Sequence, residues 1–178
     1  SNYPSNHFDS IVRKVTEQIK NQKNELCQRR EEDLKKNYVT EMQIYLLENE
    51  LMVLSKMRVI YMYMNFEIHL KKLISIAYNV TGNNFYNWEK VISFFKSKNI
   101  EIKELKYYSD VKHILELNNS LKHSDNLINK RTENIIEFKG KKTASIEALD
   151  EFYERTMESP KELIKELAKE IDKDLFEF

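Results

Sequence analysis

The chain has 178 residues with 29 basic and 29 acidic side chains, so it is long enough for one domain with a sizeable core and its formal net charge is zero. Bulk charge gives no support for a nucleic-acid partner, and any basic site must be local. With two Gly, two Pro and 33% charged residues, the composition predicts an all-α fold.

Cysteine use and hydropathy narrow the class of protein. Cys27 is the single cysteine, so no intramolecular disulfide can form, which suits a cytoplasmic protein. The four scattered His residues give no zinc pattern, and we expect neither a metal nor a cofactor. No apolar run predicts a transmembrane span, and no signal-peptide pattern is present. Because the sequence begins with Ser1, we expect a processed chain or a piece of a longer one.

The N-terminal segment predicts a long first helix. Apolar residues at helical spacing begin with Phe8 and start a helix that runs to about Lys36. Its second half, 21–36, is almost entirely polar, which is typical of a solvated helix; an arm that meets a partner chain is the alternative. We expect residues 1–38 to form this helical arm and residues 39–178 to form the helical domain.

A second long helix is expected from Thr40 to about Asn79. The sequence TEMQ at its start fits a capping box, and the richest apolar stretch of the chain follows. This helix is therefore predicted to be the central core helix. Its Met and Tyr residues are typical of core packing, and nothing around Arg58 singles that residue out.

The remainder predicts shorter helices, so that the whole forms a bundle of five or six. Gly82 marks a loop, and Ser159-Pro160 is a strong helix start. Residues 135–142 predict a small β-hairpin or an extended segment around Gly140, and the pair Asp150-Glu151 is interpreted as a solvated helix face. The expected helices are 85–98, 103–123, 145–157 and 159–175.

The segment 107–125, YYSDVKHILELNNSLKHSD, is where polar side chains suited to catalysis gather beside an apolar stripe. A helical rotation of about 100° per residue places Lys112, Asn119 and His123 on one flank. Asn119 and His123 are four residues apart and can touch. Asn118 points towards the apolar arc, where it is placed to bond buried neighbours or backbone.

A long helix, a short helix with a Trp near its start and a helix ending in ELNNSLKHSD resemble the HEPN superfamily over roughly residues 40–175. That superfamily comprises small all-α domains, often dimeric, of toxin–antitoxin, abortive-infection and CRISPR-associated proteins. Its motif is an Arg, usually followed by a polar residue such as Asn, and a His after four to six intervening residues. In active members the motifs of two protomers form a metal-independent ribonuclease site. The resemblance implies a homodimer, a role in phage defence, and RNA or a partner protein encoded nearby as ligand.

Only part of the HEPN motif is present in this chain. His123 matches the motif His and Asn119 matches the polar residue, but Asn118 stands where the Arg is needed. Glu116 and Leu117, the other permitted positions, are not basic either. A neutral amide cannot replace a guanidinium electrostatically, although an imidazole can act as acid or base near neutral pH.

Two lysines are candidates for the missing cation. Lys122 is the nearer to His123, whereas Lys112 lies about 16 Å away along the helix axis and would have to come from a partner protomer. The alternative interpretation of Lys122 and His123 is capping of the helix C-terminus, where donors and positive charge are favoured.

Three functions stay open. The first is a dimeric HEPN-like domain associated with defence or regulation, with weak or no nuclease activity. The second is a metal-independent endoribonuclease in which a Lys replaces the motif Arg. The third is a helical adaptor or coiled-coil protein that acts through residues 5–36. The missing Arg favours a protein that is not an enzyme.

Overall fold

The fold is an all-α bundle, as the composition predicts. The computed structural model describes residues 5–32, 37–81, 85, 87–123 and 128–176. No helix in these ranges is both long and apolar enough to cross a membrane. The same ranges contain six α-helices: α1 (Ser5–Glu32), α2 (Asn37–Tyr78), α3 (Trp88–Ser97), α4 (Tyr108–His123), α5 (Ile146–Thr156) and α6 (Ser159–Phe176).

Helix α2 is the central helix of the bundle. Its 42 residues give it a length of about 63 Å, and it packs against α1, α4, α5 and α6. Its deeply buried apolar side chains recur at helical spacing, so one face of α2 supports the core along most of its length. They are Ile44, Leu51, Val59, Met62, Phe66, Leu70 and Ile74.

Two apolar clusters form the core on this face. The first joins the C-terminal half of α2 to Phe95 of α3 and Leu163 of α6. The second joins the middle of α2 to α5, with Phe152 fully buried. Helix α4 contributes Val111 to the first cluster and Leu117 to the second. Packing therefore fixes α4 along its length and determines where its C-terminal end reaches the surface.

Helix α1 lies along α2. Val12 and Ile19 are buried, in agreement with the apolar spacing of its first half. The second half is mostly exposed, as its polar composition predicts, but Lys23 pairs with Glu48 of α2 (2.7 Å) and Leu26 is half-buried. Within residues 21–28, the polar half of α1 therefore rests against α2. Residues 33–36, which include the predicted helix end, lie outside the described ranges.

Several helix boundaries differ from those predicted. Helix α2 begins at Asn37, so Thr40 lies inside the helix and the capping box does not mark its start. Helix α3 begins three residues later than expected, because Asn87 caps it by accepting a hydrogen bond from the Lys90 N–H (2.9 Å). Helix α4 begins at Tyr108, after a 3₁₀ turn at Ile102–Glu104. The predicted loop at 82–84 lies outside the described residues.

The β-hairpin predicted near residues 135–142 is wrong. Ile136–Phe138 forms a 3₁₀ turn, and Gly140 adopts a positive φ of 74° in the turn that follows. Ile135 and Phe138 are both fully buried while Ile136 is exposed. A spacing of three places Ile135 and Phe138 on one side of a helical turn, whereas a strand would point them to opposite faces.

Candidate functional site

The C-terminal end of α4 divides its polar residues between the core and the surface. Asn118 is only 1% exposed, whereas Asn119, Lys122 and His123 are exposed. A rotation of about 100° per residue separates Asn118 from Asn119 and His123. Lys122 lies only about 40° from Asn118 and is exposed in the last turn of the helix. The four candidate residues of the sequence therefore do not form one cluster.

Asn118 occupies a core position. Its Nδ2 donates a long hydrogen bond to Oδ1 of Asn119 (3.4 Å), and its own Oδ1 is buried without a partner among the described residues. A guanidinium at this position would lose its hydration. Leu117, the next motif position, is also fully buried. Of the three positions where the HEPN motif permits an Arg, Glu116 is therefore the one that reaches the surface.

A cleft of about 480 Å³ separates the end of α4 from the loop that follows it. The walls combine an imidazole, two carboxamides, a hydroxyl, a carboxylate and two cationic side chains. Concave sites with converging polar groups of this kind are typical of ligand binding, and the cations favour an anionic ligand. The described residues that line the cleft are Glu116, Asn119, Ser120, His123, Asn129, Lys130 and Arg131.

A turn that begins at Asn129 holds the two cations beside α4. Oδ1 of Asn129 accepts a hydrogen bond from the Arg131 N–H (2.9 Å), and Oγ1 of Thr132 accepts one from the Asn129 N–H (3.0 Å). Asn and Thr side chains stabilise short turns by bonds of this type. Nδ2 of Asn129 also donates to Oγ of Ser120 in α4 (3.1 Å). This last bond fixes the turn against the helix.

The loop between α4 and α5 is basic, although the chain is neutral. Residues 128–143 include five basic and two acidic residues. The N–H of Ile128 donates to the carbonyl of Lys142 (2.9 Å), which joins the two ends of the segment 128–142. The net charge of the chain does not reveal a basic site, but this segment carries a local excess of exposed basic residues. Its exposed cations are Lys130, Arg131, Lys139, Lys141 and Lys142.

An ion-pair network anchors the middle of this loop to the bundle. Arg155 of α5 bonds Glu137 through Nε and Nη2 (2.5 and 3.0 Å) and Asp110 of α4 through Nη1 (2.9 Å). Burial raises the pKa of Glu137, but hydrogen bonds from Arg155 and from the backbone lower it by more, so the pKa lies below its usual value. Ser159, at the predicted start of α6, donates its hydroxyl to Asp110 (2.8 Å).

The two lysines considered for the missing cation are not among the described residues that line the cleft. Lys112 faces Glu116 one turn along α4, with 3.8 Å between Nζ and Oε1. Lys122 is exposed in the last turn of the helix. Lys130 and Arg131 supply the cations of the cleft in their place.

A second charged cluster lies between α2 and α5 and serves the fold. Arg58 is 7% exposed; it donates to Glu154 (2.8 Å) and Asp150 (3.4 Å), and its guanidinium lies 3.7 Å from the ring centroid of Tyr153. Ser55 also donates to Asp150 (2.9 Å). The interpretation of Asp150 as part of a solvated face is therefore wrong. Both carboxylates accept hydrogen bonds from the Arg58 guanidinium, so this cation is not presented to a ligand.

Neither a search for metal-binding groups nor a comparison with known proteins adds information on the site. Within the described ranges no group of three or more His, Cys, Asp or Glu residues is placed to hold a metal ion. Comparison of the chain with protein-family models, curated proteins and solved structures gives no match. The resemblance to the HEPN superfamily therefore depends on the order of helices and on Asn119 and His123.

Sequence reasoning missed the loop side of the cleft. The tetrapeptide Asn129-Lys130-Arg131-Thr132 does contain a signal, because an Asn and a Thr around two residues are typical of a side-chain-capped turn. The sequence does not show that this turn returns to α4. The hydrogen bond between Asn129 and Ser120 and the packing of Ile135 with Leu117 hold the loop against the helix.

Proposed function

We propose that this chain is a HEPN-like helical domain that binds single-stranded RNA in the cleft at the end of α4. In this proposal it acts as a homodimer in phage defence or regulation and has weak or no nuclease activity. The observation that carries the proposal is the presence of His123, Asn119, Lys130 and Arg131 in one cleft.

The groups in the cleft suit a single strand of RNA. Lys130 and Arg131 offer charged donors to phosphate oxygens. The amide of Asn119 can bond the edge of an unpaired base, and the ring of His123 can stack on its face. Unpaired bases can reach these groups, whereas the bases of a duplex are stacked inside the helix.

Two features favour binding over cleavage. The carboxylate of Glu116 is 20% exposed and shares the cleft with His123, so it opposes the negative charge that develops during attack on a phosphodiester. Arg131 is exposed, and water screens the stabilisation that an exposed cation gives to that charge. Both effects lower the rate of cleavage more than they weaken phosphate binding.

Binding of a fluorescent single-stranded RNA, measured by anisotropy over a range of salt concentrations, tests the proposal. Arg131→Gln is expected to weaken binding about fivefold, as for a loss of roughly 1 kcal/mol. It should also reduce the slope of log affinity against log salt by about 0.7, the value for one phosphate contact on a single strand. Lys130→Gln is expected to act in the same direction.

Lys161→Gln is the matched control. Lys161 is an exposed lysine at the start of α6 and pairs with Glu158 (3.6 Å), so its substitution removes the same charge away from the cleft. We expect the control to bind RNA as the unmodified protein does. Equal weakening by all three substitutions, or no RNA binding by the unmodified protein, would contradict the proposal.

A metal-independent endoribonuclease is the second candidate, because an imidazole and cations share the cleft. In that function His123 would accept the proton of the ribose 2′-hydroxyl, and Arg131 or Lys130 would stabilise the charge on the phosphate. Incubation of the protein with single-stranded RNA and EDTA tests this candidate. Cleavage that His123→Ala abolishes while RNA affinity is retained would support the nuclease; intact RNA after prolonged incubation would exclude it.

A further inference from the structure

The loop between α4 and α5 is built as a chain of four turns. The N–H groups of Thr132, Ile135, Phe138 and Lys141 each donate to the carbonyl three residues earlier, at 2.9, 3.0 or 3.1 Å. Each turn therefore begins at the residue where the previous turn ends. These bonds define the path of the backbone from residue 129 to residue 141.

The residues shared by successive turns anchor the loop in the core. Thr132, Ile135 and Phe138 are all fully buried, and the last two belong to the second apolar cluster. The residues between them are exposed, apart from the half-buried Glu137. The loop therefore presents its outward side chains from a fixed backbone.

The charged residues of the loop are separated by turn. Glu133 and Glu137 lie in the two middle turns, and Glu137 is bound by Arg155. The five basic residues lie in the first turn, in the last turn or directly after it. They form no ion pair with a carboxylate in the described part of the chain. These residues are Lys130, Arg131, Lys139, Lys141 and Lys142.

One carboxylate outside the loop lies near the last turn. The pKa of Glu147 is lowered by hydrogen bonds from its own backbone and from Ser145, and to a smaller extent by the charges of Lys23 and Lys141. The charge of Lys141 is therefore partly offset. Lys139 and Lys142 are the cations of this end that are available to an anionic ligand.

A backbone contact brings the first and last turns together. The N–H of Ile128 donates to the carbonyl of Lys142 (2.9 Å). Asn129, the residue that follows Ile128, lines the α4 cleft together with Lys130 and Arg131. The last turn ends at the residue before Lys142. The cations of the cleft and those of the last turn therefore lie on the two sides of one backbone hydrogen bond.

A type II turn directs Lys139 away from the bundle. Lys139 has φ −57° and ψ 123°, and Gly140 has φ 74°, which are typical of the two central residues of such a turn. A Cβ atom at Gly140 would meet nothing within 4 Å. The tip of the last turn is therefore surrounded by open space that a polyanion can enter.

We propose that the last turn and Lys142 form a second phosphate-binding surface, which holds a strand of RNA that continues out of the α4 cleft. The inference rests on the proposed function and makes its ligand specific: an RNA of several nucleotides, bound along its length. Because the backbone is fixed, little ordering of the loop opposes binding. An anionic membrane fits less well, since Ile136, the exposed apolar residue of the loop (74%), lies in a different turn from the cations.

Anisotropy with single-stranded oligouridines of three and eight nucleotides tests the second surface. The unmodified protein is expected to bind the octamer at least about tenfold more tightly than the trimer, because only the octamer extends beyond the cleft. Lys139→Gln with Lys142→Gln should weaken octamer binding about 10- to 25-fold. It should reduce the slope of log affinity against log salt by about 1.4, the value for two phosphate contacts, and leave the affinity for the trimer unchanged.

Lys96→Gln with Lys103→Gln is the matched control. Both lysines are exposed, and they lie in α3 and in the 3₁₀ turn before α4, which pack on the first apolar cluster. The control therefore removes the same charge from a different part of the bundle. It should bind both oligouridines as the unmodified protein does.

The outcomes distinguish this inference from the proposed function. Equal affinity of the unmodified protein for the two lengths, an unchanged octamer affinity in the double variant, or equal weakening by the control would overturn the second surface while trimer binding in the cleft persists. If neither RNA binds, both proposals fail. If the double substitution abolishes binding to vesicles of phosphatidylserine and phosphatidylcholine but not to the octamer, the surface serves a membrane and the inference is overturned.

Discussion

Nδ2 of Asn129 donates a hydrogen bond to Oγ of Ser120 at 3.1 Å, and this bond joins the α4–α5 loop to the helix that carries His123. Through it the short turn containing Lys130 and Arg131 faces the end of α4. Asn129 and Ser120 both line the cleft, so a contact between a loop amide and a buried serine hydroxyl forms part of its wall. We therefore expect substitution of Asn129 to change the positions of Lys130 and Arg131.

Asn129→Ala is expected to weaken RNA binding about three- to tenfold without changing any charge. The substitution removes the bond to Ser120 and the bond accepted from the Arg131 N–H, so the cations lose their fixed position and RNA must order them on binding. Anisotropy measures the affinity. Thermal unfolding should show a loss of stability of about 1 kcal/mol.

Asn134→Ala provides the control for this prediction, because Asn134 is an exposed Asn of the same loop outside the cleft. It should bind RNA as the unmodified protein does. If Asn129→Ala keeps full affinity, the turn does not position the cations for RNA.

Glu116→Gln is expected to strengthen RNA binding about three- to tenfold. The substitution removes a carboxylate from the cleft wall and releases Lys112 from its pair with Glu116, so the local potential becomes more positive. The matched control is Glu158→Gln, which also removes the partner of a neighbouring lysine (Lys161, 3.6 Å) but far along the chain. Weaker binding by Glu116→Gln would show that the carboxylate contacts the ligand favourably.

Asn118→Arg is expected to destabilise the fold by about 3–5 kcal/mol, because it places an unpaired charge in the core at a position that is 1% exposed. It should therefore fail to create a nuclease, even though it restores the Arg of the HEPN motif. Asn119→Arg, one residue further on and exposed, should leave the stability within about 0.5 kcal/mol. Chemical denaturation measures both, and a stable Asn118→Arg protein would show that position 118 can reach the surface.

The stability of the loop anchor should depend on pH through Glu137. Its folded-state pKa is below the usual value of 4.5, so the unfolded chain binds the proton more tightly. The stabilisation is therefore fully present above about pH 4.5 and is lost as the pH falls through the folded-state pKa. Glu137→Gln should cost about 1–2 kcal/mol at neutral pH and show a smaller further loss on acidification.

Denaturation of the unmodified protein and of Glu137→Gln across this pH range measures the effect. Glu133→Gln is the control, since Glu133 is an exposed glutamate of the same loop. The assignment to Glu137 would be incorrect if both variants lost the same free energy of unfolding on acidification.

The sequence by itself determined the helical fold, the order of the helices and the central place of α2. These features depend on local periodicity, because apolar residues that recur every three or four positions line one face of a helix. The same periodicity predicts that Asn118 points away from Asn119 and His123, and the burial of Asn118 agrees with it. It failed at residues 135–142, where β-branched and aromatic residues suggested strands but burial of Ile135 and Phe138 required a helical turn.

Only the tertiary structure decided which charged side chains contact each other. Arg58 pairs with Asp150 and Glu154, more than 90 residues away. The bond between Asn129 and Ser120, together with apolar packing of the loop, places Arg131 beside α4. Local spacing cannot predict such contacts, because they depend on how separate helices pack. The sequence located His123 and the absence of an Arg at position 118, and the packing of the loop against α4 supplied the cations of the cleft.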